Sequence, residues 1–173
     1  MGLYIPERRY TMITKKESRA GSIALGFICI AIPLVVGLVS ARLAGDQMKT
    51  FGELNQPPLS PPAWLFPVVW TILYVMMGIV LLLIMRSHHE YKVGAVALFI
   101  SQLIMNFLWS PAFFVERDYV KALVILLLML TTTVILTLVT RKINRLAAIM
   151  LIPYIAWMCF ATYLNAYIGI LNQ

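Results

Sequence analysis

The sequence predicts an all-α protein, an integral membrane bundle of five transmembrane helices. Three observations carry that expectation. Apolar residues fill 61% of the 173 positions and charged residues 12%, whereas soluble domains average about 45–50% and about 25%. Charge-free stretches recur along the chain, each near the roughly 20 residues that a helix needs to cross hydrocarbon. The cations lie almost wholly between those stretches, so the net charge of +7 reads as a topology signal and not as a nucleic-acid patch.

Residues 1–19 form a basic tail, with Arg8, Arg9, Lys15, Lys16 and Arg19 against Glu7 and Glu17. Residues 20–173 form the membrane domain. The first span, 20–41, is too long for the apolar core of a signal peptide, and Arg42 is awkward at a cleavage site, so a retained helix is expected. Pro33 should kink it. The connection 42–60 is the longest and carries Asp46, Lys49 and Glu53. A second helix is predicted over 61–85, capped by Ser60 with Pro61 and Pro62 in its first turn. The third covers 93–113, and Pro111 marks its end. The fourth covers 120–140 and the fifth 146–171, with Pro153 near its start. In lipid only helices or closed barrels satisfy the backbone, and these runs are too long for barrel strands.

Orientation follows from Lys and Arg near the helix ends. The tail and the second and fourth connections carry most of them, including Arg86, Lys92, Arg141, Lys142 and Arg145. The opposite side has Arg42, Lys49, Arg117 and Lys121. The expected topology places the N-terminus in the cytoplasm and loop 42–60 outside, in the cytoplasmic membrane of a prokaryote.

No Asp, Glu, Lys, Arg or His lies deep within a span. That argues against ion-coupled pumping, which usually uses an intramembrane ionisable group, and against a retinal Schiff base. His88 and His89 are adjacent in a polar turn beside Glu90; they read as solvated, and no metal site is expected. Cys29 and Cys159 read as buried free thiols. No catalytic residue stands out.

The informative groups are aromatic and amide. Stretch 55–74 holds five of the nine prolines and two of the four tryptophans. Within it Phe66, Trp70 and Tyr74 recur every four residues and share a helix face. Trp64 fits an interfacial belt. Trp70 lies deeper, as does Trp157 in the fifth helix, with Ala161 one turn beyond it. Gln102 and Asn106 lie one turn apart on the third helix, and Trp109 extends their face. These amides, like Asn165, suit either interhelical bonding or a ligand. Ala97 and Ser101 have the spacing of a close helix contact.

Three segments resemble the TspO/MBR family: PPAWLFPVVWTILY (61–74), NFLWSPAFF (106–114) and PYIAWMCFATYLN (153–165). The resemblance implies a five-helix bundle, often a homodimer, that binds porphyrins and drug-like aromatic small molecules in a pocket under the first loop. No obligatory cofactor is implied; porphyrin is the ligand. Carried over, Trp70, Trp157, Asn106 and Ala161 border that ligand, and Tyr74 and Phe66 extend the set. The function implied is a membrane receptor or sensor. Light-dependent porphyrin breakdown, with Trp70 or Trp157 as reaction partner, and passive transport of porphyrins or lipid-like compounds are the alternatives. Two departures stand out. The family's Lys-Pro-Ser-Trp is replaced by Gln56-Pro57-Pro58-Leu59, and no cation follows Tyr163 or Tyr167, so no dedicated sterol site is expected.

Overall fold

A computed structural model describes residues 19–172; all but the last residue of the basic tail lies outside them. The described chain contains α1 (Arg19–Leu43), α2 (Gln47–Glu53), α3 (Leu65–Met85), α4 (Lys92–Ser110), a π-helical turn (Pro111–Val115), α5 (Tyr119–Ile143), α6 (Arg145–Met150) and α7 (Ile152–Leu171). Five stretches are long and apolar enough to cross a membrane: Gly21–Leu43, Leu65–Met85, Lys92–Val115, Tyr119–Ile143 and Arg145–Leu171.

The spans form a ring that does not follow chain order. α1 packs between α3 and α4, α5 packs between α4 and α7, and α3 meets α6 at the start of the fifth span. Around the bundle the order is therefore α1, α3, α6–α7, α5, α4. The outer faces carry Phe27, Val35, Ile104, Leu128 and many other large apolar side chains. Water would penalise so much exposed apolar surface; hydrocarbon does not.

α1 and α3 approach closely. Gly78 lies so near α1 that a Cβ there would stand 2.5 Å from Ile30 Cα and 2.9 Å from the Cys29 carbonyl oxygen. In lipid, where apolar burial drives little association, small residues that let backbones meet are what hold helices together. The Ser40 hydroxyl donates to the Phe107 carbonyl at 2.8 Å and ties α1 to α4 as well. The first span is thus an integral part of the bundle.

Several boundaries differ from the sequence expectation. Connection 42–60 contains α2, capped by Asp46, whose carboxylate accepts from the Lys49 N–H at 3.1 Å. The second span starts at Leu65, not near Pro61, and Ser60 does not cap it. Pro62 disfavours the helical region for Pro61 before it, and the helix begins only after a turn closed by the Leu65 N–H on the Pro62 carbonyl at 2.9 Å; the Ser60 hydroxyl is buried without a partner. Pro111 does not stop the third span. Lacking an N–H, it breaks the α ladder; the chain widens into a π turn, closed by the Glu116 N–H on the Pro111 carbonyl at 3.0 Å. In the fifth span a break at Leu151 precedes Pro153 and separates α6 from α7. Both cysteines are free, but Cys159 is exposed on the outer face of α7 and Cys29 alone is buried.

Candidate functional site

A cavity of about 500 Å³ opens beneath α2, within the range of about 300–1,000 Å³ usual for small-molecule sites. α3 supplies one wall. The four-residue spacing of Phe66, Trp70 and Tyr74 sets all three on the cavity side, and Trp70 stacks on Tyr74 at 5.5 Å between ring centroids. α1 contributes Leu34 and Gly37, and α4 contributes Asn106 and Trp109. Phe51 of α2 closes the top, meeting Phe66 edge-on at 4.7 Å.

The loop around α2 is fastened to the far end of the chain. The Asn55 N–H donates to Asn172 Oδ1 at 2.9 Å, and Asn172 Nδ2 donates back to the Asn55 carbonyl at 3.0 Å. The Tyr163 hydroxyl donates to the Pro58 carbonyl at 2.8 Å. These bonds hold the lid to α7. The Arg117–Glu53 pair, exposed and 4.0 Å apart, adds little. Leu59, in the stretch that departs from the family motif, is 84% exposed and has φ +69°.

The floor of the cavity is polar. The Tyr74 hydroxyl donates to Asn106 Oδ1 at 2.6 Å. Asn106 Nδ2 donates to the Tyr154 hydroxyl oxygen at 3.3 Å, and the Tyr154 hydroxyl donates to Gln102 Oε1 at 2.9 Å. Asn106, Tyr154 and Gln102 are fully buried, and Gln102 Nε2 has no partner. At the lid, Gln47 lines the cavity and its buried Nε2 is likewise unpaired, a donor available to a ligand.

The structure gathers four of the six sequence-predicted binding residues, Phe66, Trp70, Tyr74 and Asn106, around this cavity. The other two lie elsewhere. Trp157 touches the back of Phe66 at 5.9 Å and lines a separate apolar hollow of about 450 Å³ between α3 and α7. Its indole N–H is buried and unpartnered. Ala161 is 7% exposed and packed within the core. Two further aromatic and amide candidates separate from the ligand set. Trp109 Nε1 donates to Asn165 Oδ1 at 3.1 Å, and Asn165 Nδ2 donates to the Tyr119 carbonyl at 2.8 Å. Asn165 thus bonds helices together, and Trp109 lines the cavity with its N–H already used. Trp64 is exposed, as a belt residue would be, and Ala97 and Ser101 lie on the outer face.

Sequence reasoning missed the α2 lid, Gly37, and Tyr154 as the link between the two amides. Phe51, the one aromatic residue of connection 42–60, was the signal for the first.

Fold and site define a class: a multi-span helical membrane protein with an aromatic-walled, ligand-sized cavity beneath a fastened loop. Residues 29–171 match the TspO/MBR family. The chain belongs to that family. It is 36% identical over 149 residues to the tryptophan-rich protein TspO of Chlorobaculum tepidum, covering 84% of this chain and 94% of that one. It is 34% identical over 145 residues to the translocator protein of Homo sapiens, covering 82% and 85%. It is 30% identical over 115 residues to the tryptophan-rich sensory protein of Cereibacter sphaeroides, covering 66% and 72%. Membership supports the role of a membrane receptor or sensor.

Proposed function

We propose that the chain is a membrane receptor that binds porphyrins and related flat aromatic molecules in the cavity beneath α2. One observation carries the reading: a cavity of about 500 Å³ walled by Phe66, Trp70 and Tyr74 over a polar Tyr74–Asn106 floor. A flat ring system stacks on such faces, each contact worth about 0.5–1.5 kcal/mol beyond area burial. Arg42 and Lys49 are exposed near the mouth, while Asp46 lines it. Porphyrin carboxylates would therefore turn outward to the two cations and away from the acid.

The test is a titration of the purified protein with protoporphyrin in the dark. Saturable quenching of tryptophan fluorescence, weakened by Trp70→Phe, is expected. Absence of saturable quenching overturns the reading. The same sample under light distinguishes binding from breakdown, since loss of the pigment spectrum that depends on the protein would mark degradation.

In this reading the N-terminus is cytoplasmic and the α2 lid faces outward, the orientation that the excess of cations on the opposite side supports. A Lys49→Cys variant should react with an impermeant thiol reagent in intact cells; reaction after lysis alone would reverse the orientation.

A further inference from the structure

The hydrogen-bond chain under the cavity has an unusual end. Gln102 is 1% exposed, yet its Nε2, with two hydrogens to donate, meets no acceptor. Buried amides are seldom left so. Every hydrogen of the chain points inward: Tyr74 to Asn106, Asn106 to Tyr154, Tyr154 to Gln102. The surplus donor collects at Gln102, and the Tyr74 oxygen faces the cavity as an acceptor.

The same heavy-atom framework admits the opposite order. Each amide presents a donor at one end and an acceptor at the other, and each hydroxyl rotates. If both amides flip, Gln102 Nε2 donates to Tyr154, Tyr154 donates to Asn106 Oδ1, and Asn106 Nδ2 donates to Tyr74. The number of internal bonds is unchanged, the Gln102 amide nitrogen gains the partner that its carbonyl oxygen gives up, and the Tyr74 hydroxyl hydrogen is released into the cavity. A ligand atom that accepts it adds one bond. The inward order gains nothing from such a ligand.

We propose that Tyr74, Asn106, Tyr154 and Gln102 form a hydrogen-bond relay of reversible polarity, which selects aromatic ligands bearing a carbonyl-type acceptor. Gln102 is a positioning residue in it: it touches no ligand and sets the direction in which Tyr74 points its hydrogen. Without the Gln102 carbonyl, the Tyr154 hydrogen must turn to Asn106 Oδ1, because the Met129 thioether at 3.4 Å is a poor acceptor. The relay is then locked outward.

The proposal rests on the binding reading above, and its test separates the two. The probes are 9-acetylanthracene and 9-isopropylanthracene, matched in shape and differing in the acceptor. The readout is the ratio of their dissociation constants in wild type, Gln102→Leu and Gln102→Met. Affinity for the isopropyl probe reports an intact cavity in each variant. The acetyl probe is expected to bind the wild type several-fold more tightly, the size of shift that one gained hydrogen bond gives, and that advantage should rise by a further factor of about two in both variants, which hold the outward order before the ligand arrives. Adding Tyr74→Phe should erase the advantage in every background. A ratio unmoved by Gln102 substitution overturns the relay while leaving the binding reading intact. Failure of both probes to bind the wild type overturns both.

Discussion

The ring of Tyr74 lies against the bare Cα of Gly37, so closely that a β-carbon at Gly37 would overlap the ring. α1 thus fixes an aromatic side chain that belongs to α3 and forms part of the cavity floor. Gly37→Ala must push the ring off Asn106. Overpacking of this kind costs about 1–3 kcal/mol, but an aromatic ring can swing aside and a backbone cannot. We expect a modest loss of thermal stability with about a tenfold loss of porphyrin affinity, measured by fluorescence titration.

At Gly78 the obstruction is backbone: Ile30 Cα at 2.5 Å and the Cys29 carbonyl oxygen at 2.9 Å. Gly78→Ala must separate α1 from α3 and should lower the detergent-solubilised melting temperature more than any other glycine-to-alanine change in α1 or α3. Gly26→Ala is the control. A β-carbon there meets Leu82 Cδ2 at an ordinary 3.8 Å, and the gain in helix propensity is about 1 kcal/mol. Its melting temperature should stay level or rise.

Asn165→Leu removes the acceptor of the Trp109 indole and the donor to the Tyr119 carbonyl. Interhelical bonds in membranes are worth about 0.6 kcal/mol on average, so a loss of about 1–2 kcal/mol is expected for the pair. Asn165 does not line the cavity. Porphyrin affinity measured on the folded fraction should change less than twofold.

The paired bonds between Asn55 and Asn172 hold the lid down. Asn172→Ala removes the side-chain half of both. Ligand should then enter and leave faster, with dissociation increased about five- to tenfold in stopped-flow fluorescence. If dissociation is unchanged, ligand exchange does not pass beneath this loop.

Much of this architecture was legible in the chain. Charge-free length identified the five spans, and the four-residue recurrence of Phe66, Trp70 and Tyr74 identified the wall of the cavity. α2 was harder to see because seven residues with mixed polarity give no periodic signal; its helix depends on the Asp46 cap and on Phe51 docking against Phe66. The π turn was hidden because proline ordinarily reads as a stop. The placement of Trp157 follows from the rotation of α7, which periodicity within one helix does not fix: the indole backs the Phe66 wall from the neighbouring hollow. The Asn55–Asn172 pairing joins positions 117 residues apart, beyond the reach of any local rule.

That pairing makes Asn172 an instrument. Asn172 is the last described residue, and it grips the loop that covers the cavity. A fluorophore attached just beyond it, paired with a quencher on Lys49→Cys, would follow each opening of the loop in real time, with no label inside the membrane. An insertion without a spacer directly after Asn172 would load the latch mechanically and alter ligand exchange.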